Sequence, residues 1–332
     1  MNILARKKVF IVWAPYSQRS RSLAKELDMN LHLIHYFRFQ QPLYAPFKYL
    51  LQAMHTLAIL LKDRPHIVFV QDPPIFAALS VFFYSALTAR NAKYIVDVHT
   101  GALLHPWWKS FRWLQKFLYR RALTVIATNQ AISECVKSLG ADSMVLKGPP
   151  IVIPDGESMP LSDKFNLVLV NTFSPDEPLS VVLEAVKDRS DVHLYVTGDV
   201  KKAPSSMLKS KPANVTFTGF LSDDDYFKLL RGTDAIIVVT DTDYTLQLGA
   251  MEAVAVGKPI ITSDLSFLRR HLCKGTIHVP NTPDGLNAGI SQVQQNHFLL
   301  SQEIVELRHI HKEQWKIDSQ KLQKLLIGAV KN

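Results

Sequence analysis

Glu252 lies in the segment Asp234–Asp264, DAIIVVTDTDYTLQLGAMEAVAVGKPIITSD. Within it Ala235–Val239 reads as a buried strand, and Leu246–Val256 as a helix that Gly257 stops. A helix starting just beyond the carboxyl edge of a sheet points unpaired backbone N–H groups at that edge, which favours an anion such as a diphosphate. The loop Asp241–Leu248 leads into such a start, and Leu248 and Gly249 fall there. Glu252, at least one turn further in, carries a carboxylate able to accept from two ribose hydroxyls. By itself the same glutamate also fits a solvent-facing helix position.

A second group of residues lies in the first half of the chain. His99 follows the strand YIVDV (Tyr94–Val98), at a strand end where open α/β sheets collect ligands. A neutral imidazole there can hydrogen-bond a ligand hydroxyl or assist proton transfer. Asp72 and Asp97 are candidate bases, and Asp72 is the better placed because Asp97 is four residues into a buried strand. The run Ala14–Arg21 (APYSQRSR) puts small residues, Arg19 and Arg21 at a helix start, where a phosphate can be met. Pro106–Arg121 (PWWKSFRWLQKFLYRR) has three Trp within seven residues, five cations and no acid. That composition suits an interfacial helix on an anionic membrane, although part of its apolar stripe must pack on the sheet. Tyr44–Leu61 offers a second apolar face.

The elements that position these groups alternate along the chain. Lys8–Trp13, Leu31–Tyr36, His66–Val70, Tyr94–Val98, Leu123–Ala127 and Ser143–Leu146 read as strands, with helices at Arg19–Leu27, Tyr49–Leu61, Pro73–Ala89 and Pro106–Arg121. Lys147–Lys164 is rich in Pro and Gly and reads as a linker. The alternation then restarts: strands at Leu167–Val170, Val192–Thr197, Val215–Thr218, Ala235–Val239 and Pro259–Thr262, and helices at Leu179–Lys187, Asp223–Leu230 and Leu246–Val256. Helical spacing returns from about Leu300 to Val330. Strand–helix alternation implies parallel sheets covered on both faces, so the expected fold class is α/β, with two doubly wound domains in tandem. This agrees with 332 residues, more than one core usually serves.

The chain resembles a GT-B glycosyltransferase in the style of glycosyltransferase family four. Glu252, Ala253, Ala255, Gly257, Pro259 and Thr262 match that family's helix and "A-x-A-x-G-x-P-V-I-x-T/S" pattern. Gly219 in VTFTGFLSDDDYFKLLRGTDA fits its "F-x-G" loop, and Trp315 with the terminal helix resembles its closing segment. The resemblance implies two Rossmann-like domains facing a cleft: an acceptor domain over residues 1–155 with the helix of about 316–332, and a nucleotide-sugar donor domain over 156–315. It implies that Glu252 binds the donor ribose and that His99 reaches the donor sugar. The family's first glutamate falls at Tyr244; either Asp243 beside it substitutes for the sugar contact after a one-residue shift, or the contact is absent. Its diphosphate-gripping Arg and Lys fall at Thr172 and Glu177, which leaves three outcomes: hydroxyl and backbone donors such as those of Thr172 and Ser174 take over, another Lys or Arg substitutes, or the protein no longer transfers sugar. Gln71-Asp72-Pro73-Pro74, Asp97-Val98-His99 and Thr172–Glu177 also resemble motifs of the β-mannosyltransferases acting on chitobiosyl-diphospho-dolichol.

The implied activity is hexosyl transfer from a nucleotide diphosphate sugar to a lipid-linked or polysaccharide acceptor, in polysaccharide biosynthesis, with no cofactor and no metal. Asp241-Thr242-Asp243 matches a metal-binding D-x-D only in its letters. A partner-binding subunit without catalysis, prompted by the missing Arg and Lys, and a nucleotide-sugar epimerase are the competing readings. The net charge of +9 comes with no nucleic-acid motif. Two cysteines, Cys135 and Cys273, make no disulfide framework and suit a reducing compartment. The longest apolar stretch, Pro73–Leu87, is too short to span a bilayer, and no leader stands out. The expected location is therefore cytoplasmic, peripheral on a membrane face.

Overall fold

The computed structural model describes residues 8–37, 44–88 and 92–331. The chain divides into two compact units. The first comprises Met1–Pro149 with Gln314–Asn332, and the second Pro150–Glu313. The divide falls near the start of the Pro- and Gly-rich stretch.

The first unit runs β1 (Lys8–Val12), α1 (Gln18–Glu26), β2 (Asn30–Leu33), α2 (Ala45–Asp63), β3 (Ile67–Asp72), α3 (Ile75–Leu87), β4 (Lys93–Val98), α4 (Thr100–Leu104), α5 (Pro106–Lys109), α6 (Arg112–Tyr119), β5 (Thr124–Ala127), α7 (Gln130–Ser138) and β6 (Ser143–Val145). The strands pair in parallel in the order β2-β1-β3-β4-β5-β6. Strands covered on both faces must be apolar throughout, and in β1 the alternation assigns each residue a face. Val9 and Ile11 join the core beneath α2 and α3, while Phe10 and Val12 join the core beneath α1.

The second unit runs β7 (Phe165–Leu169), α8 (Leu179–Val186), β8 (Val192–Thr197), α9 (Ser205–Lys209), β9 (Val215–Gly219), α10 (Asp223–Gly232), β10 (Ala235–Val238), α11 (Leu248–Val256), β11 (Ile260–Ser263), α12 (Ser266–His271), β12 (Thr276–Val279), α13 (Pro283–Gln295) and α14 (His297–Lys331). Its sheet is also parallel, in the order β12-β11-β10-β7-β8-β9. Ser222 caps α10 by accepting from Asp225 N–H, and Gly257 ends α11 at φ 74°. From Gln314 onward α14 belongs to the first unit, where Leu322 and Leu326 enter the core beside Phe10 and Phe69 and Trp315 packs against it.

These two parallel sheets with covering helices are the Rossmann-like pair that the strand–helix alternation implied. One expected element differs. Pro106–Arg121 forms not one helix but α5 and α6, broken at Ser110 and Phe111. Tertiary packing causes the break: Trp108 and Phe111 both turn inward onto Phe76, at ring distances of 6.3 and 5.0 Å.

Candidate functional site

In an open parallel sheet, loops part to leave a crevice at the carboxyl edge where the strand order reverses. In the second unit that point lies between β7 and β10. The loop after β7 carries Thr172 and Ser174; the loop after β10 carries Asp243 and leads to Leu248 and Gly249. The fold thus brings together five of the residues singled out in the sequence, on two adjacent loops. The loops are tied to each other: Thr240 Oγ1 donates to Asp176 Oδ2 at 2.9 Å, and Asp241 N–H to the Asp176 carbonyl at 2.8 Å.

The first turn of α11 has no side-chain cap, so its N–H groups face this edge without a protein side chain on them. A Cβ on Gly249 would lie 2.6 Å from Val170 Cγ1. Gly249 therefore lets the helix start press against the end of β7. Leu248, the first helical residue, is exposed. Asp243 accepts from Tyr244 N–H at 2.8 Å, and Tyr244 sits at φ 61°. Gly219 ends β9 at φ 71° with open space where a Cβ would be, so its role is conformational.

Glu252, on α11, is nearly buried and is not turned to bulk water. Its Oε2 accepts from the Tyr226 hydroxyl of α10 at 2.6 Å. Burial pushes the Glu252 carboxyl up, and the Tyr226 hydrogen bond pulls part of the way back. Tyr226 was not singled out in the sequence, since nothing in the spacing of DDDYFKLL marks its aromatic position as a partner for a glutamate on another helix.

At the positions where the resemblance would place basic residues, the loop after β7 holds Thr172 and an acid, Glu177. Glu177 Oε2 accepts from the N–H groups of Thr172 at 2.7 Å and Ser174 at 3.3 Å, and the Thr172 hydroxyl donates to the same carboxylate at 3.1 Å. Phe173 between them stands at φ 60°. This backbone concavity, suited to an anion, thus contains the protein's own carboxylate. Thr172 and Ser174 do lie at the switch point, but their amides are engaged.

In the first unit the reversal lies between β1 and β3. Ser17 caps α1 through Ser20 N–H, and Ser20 Oγ donates to Gln71 Oε1 at 3.0 Å, fixing the start of α1 against β3. Arg19, expected to offer its charge to a phosphate, instead grips Asp97. Its Nη2 lies 2.9 Å from Oδ1 and its Nε 3.1 Å from the same oxygen, while Nη2 also donates to the Leu146 carbonyl at 2.8 Å. A buried carboxylate already neutralises this guanidinium. Burial alone would push the Asp97 carboxyl up, but Arg19 and His99 together outweigh it and hold Asp97 well below the usual carboxylate range.

His99 stands at the position before α4, at the end of β4, with no capping hydrogen bond from its side chain; its Nε2 lies 3.3 Å from Asp97 Oδ2. Its ring is partly exposed and aimed by a buried acid. Asp72, the preferred base in the sequence, is fully buried instead. The Tyr119 hydroxyl donates to its Oδ2, and Oδ1 has no hydrogen-bond partner among the described residues. Burial raises the Asp72 carboxyl to about 6, against a smaller opposing effect of Tyr119. The side chain is occluded because Tyr119 of α6 and the helices over β3 close that strand end. Asp72 is closed off from solvent, whereas the His99 side chain keeps 28% of its surface exposed.

Among the described residues no group of three or more His, Cys, Asp or Glu side chains is arranged to hold a metal ion. Asp241 of the D-x-D letters accepts from Asn281 Nδ2 at 2.6 Å.

Comparison with known proteins adds two family matches. Residues 7–146 match a family model described as "Glycosyl transferase 4-like domain". Residues 164–296 match one described as "Glycosyl transferases group 1". No curated protein matches the chain by sequence. Among solved structures, sucrose-phosphate synthase from Thermosynechococcus elongatus is similar with a TM-score of 0.72 and 12% identity, over 98% of this chain and 100% of that one. HepE of Anabaena in complex with UDP is similar with a TM-score of 0.69 and 13% identity, over 96% and 99%. A glycosyltransferase from Rickettsia africae is similar with a TM-score of 0.65 and 14% identity, over 99% and 100%.

Proposed function

Because this chain belongs to the GT-B glycosyltransferases, whose family models match both of its units, we propose that it moves a hexose from a nucleotide diphosphate sugar to a lipid-linked or polysaccharide acceptor. The observation that carries the reading is Glu252. It lies just inside the uncapped start of α11, beside the second unit's switch point, and is held by Tyr226 rather than by solvent. Its carboxylate accepts from the ribose hydroxyls. The N–H groups at Leu248 and Gly249 take the diphosphate, whose charge they meet as it leaves. Asp243, on the loop that leads into α11, takes the sugar contact, and Gly219 turns the chain at the end of β9. HepE has been solved with UDP-glucose, which makes uridine the first base to test.

The first unit meets the acceptor. His99, aimed by Asp97, hydrogen-bonds a sugar hydroxyl, and Arg19 serves by keeping Asp97 ionised rather than by touching phosphate. Transfer proceeds without a metal and survives chelation. No described helix is long and apolar enough to cross a membrane, and the protein works in the cytoplasm, with the basic, Trp-rich segment 106–121 meeting an anionic membrane.

A thermal-shift screen of UDP-, GDP- and TDP-sugars tests the donor. A stabilising nucleotide sugar is expected, since a ligand of the native state raises its unfolding temperature. No shift with any of them refutes the donor site.

One observation favours a second reading, a partner-binding subunit without catalysis: Glu177 occupies the backbone concavity where the family places cations. Donor hydrolysis or transfer by purified protein separates the two.

A further inference from the structure

Helix α2 carries apolar side chains on its outer side as well as its inner one. Leu60 is buried in the core, with Tyr49, Ala53, Leu57 and Ile59 packed against it, and Lys48, Gln52 and Thr56 are buried too, while Phe47, Leu50, Met54 and Leu61 are each between 55% and 60% exposed. The exposed four recur at helical spacing, so they form one outward stripe. Rotation of the helix cannot be the remedy, because the inward side chains have specific partners. Gln52 Nε2 donates to the Ile34 carbonyl at 2.7 Å, and Thr56 Oγ1 accepts from Trp13 Nε1 at 2.8 Å. An apolar stripe of this kind on a water-facing helix marks a surface with a partner.

The stripe continues sideways. Tyr49 of α2 contacts Phe76 of α3 at 5.1 Å, and Phe82 of α3 contacts Phe117 of α6 at 5.3 Å, so the three helices form one layer. Outward from α3 and α6 stand Phe83, Leu87 and Trp113, all exposed. At the entry to α2, Phe37, Tyr44 and Phe47 make an exposed aromatic trio, with ring distances of 6.0 Å from Phe37 to each of the others. Because α2 enters from the end of β2 and α5 follows the end of β4, this trio and Trp107 lie towards the same carboxyl edge as His99.

Charge identifies the partner. The segments 44–62, 73–88 and 99–121 contain no Asp or Glu, yet hold Lys62, Lys109, Arg112, Lys116, Arg120 and Arg121; the one acid of α2, Asp63 at its last position, faces His32 at 3.5 Å. Two copies of so basic a face would repel each other. A bilayer with anionic headgroups supplies both acyl chains for the stripe and counter-charges for the rim, and Trp and Tyr belong at that boundary.

We infer that the α2–α3–α6 layer docks the first unit on an anionic lipid bilayer, with α2 in the plane of the interface and the carboxyl edge turned to the headgroups. This rests on, and sharpens, the reading of a lipid-linked acceptor: docking presents such an acceptor to the edge that bears His99.

The test is flotation of the full chain with phosphatidylcholine vesicles, with and without phosphatidylglycerol. The wild type is expected to float with the anionic vesicles and weakly with the neutral ones. Lys109→Gln with Lys116→Gln should lower binding roughly 25-fold at low salt, about fivefold per cation. Leu50→Glu with Met54→Glu should lower it about tenfold or more, by putting charge into the acyl boundary. Both double variants are to keep the wild-type unfolding temperature, which separates lost docking from lost folding. A wild type that stays unbound overturns the inference, as do variants that float like wild type and equal binding to neutral vesicles. So does a lipid-free dimer that Leu50→Glu with Met54→Glu splits. The donor thermal shift is read on the same proteins without vesicles, so failure of the donor site and failure of docking give different results.

Discussion

Replacing Arg19 with Met should invert the pH dependence of the first unit's stability. Asp97 is wholly buried and Arg19 is its neutralising partner, with side-chain exposures of 0% and 16%. Removing one member of a buried pair leaves an uncompensated charge, at a cost of about 3–5 kcal/mol at neutral pH. In the wild type the folded pKa of Asp97 is depressed. Its contribution is therefore present above the unfolded value, near 3.8, and lost only as pH falls below it. In Arg19→Met, burial goes unanswered except by His99, and the folded pKa rises above the unfolded one. Stability of the variant should then be greatest near pH 4 and fall by about 1.4 kcal/mol per pH unit until Asp97 ionises in the fold. The wild type should show no such decline from this group. All five tryptophans, at positions 13, 107, 108, 113 and 315, lie in the first unit. Tryptophan fluorescence in urea therefore reports on that unit's unfolding. Two stability curves that run parallel from pH 4 to pH 7, or a loss at pH 7 below about 1 kcal/mol, would refute the reasoning.

Asp72→Asn should act in the opposite direction. Asp72 rises from 3.8 to about 6, so the wild-type fold holds that proton more tightly than the unfolded chain and loses stability as pH climbs between the two values. The substitution should recover up to about 3 kcal/mol at pH 7 and nothing at pH 4, by the same urea titration; equal gains at both pH values count against a buried, ionising Asp72. Glu252→Ala should abolish the nucleotide-sugar thermal shift, and an unchanged shift removes Glu252 from the site. Tyr226→Phe, which takes away the hydroxyl on Glu252 Oε2, should weaken donor binding about tenfold in calorimetry, whereas wild-type affinity would make Tyr226 a packing residue alone. Glu177→Gln should tighten donor binding about fivefold by removing a negative charge beside the diphosphate; weaker binding would mean that the carboxylate organises the loop for the donor.

The strands were legible because a parallel sheet covered on both faces needs short apolar, β-branched runs. Ile67–Asp72 and Ala235–Val238 fall where such runs stand. Caps and stops were legible for similar local reasons, as at Ser222 and Gly257. The two loops of the second unit could be placed because each follows a readable strand. Side-chain pairing could not. Arg19 and Asp97 are 78 residues apart, and Tyr226 and Glu252 lie on different helices. No local periodicity states which polar groups will meet once the helices pack. The same limit hid the occlusion of Asp72, which depends on Tyr119, 47 residues away. It also hid the break at Ser110 and Phe111, where the contacts of Trp108 and Phe111 with Phe76 outweigh the tendency of a continuous helix.

The path of α14 bears on the order in which a ribosome can deliver a finished protein. The first unit is made up to Pro149 before the second starts, but Leu322 and Leu326, which complete its core, emerge only after the second unit has passed. The second unit has every one of its residues by Glu313. Domains tend to fold as they emerge, yet here the earlier one must wait with an open flank while the later one closes. A nascent chain halted after Glu313 would pair a mature second unit with a first one still lacking part of its interior.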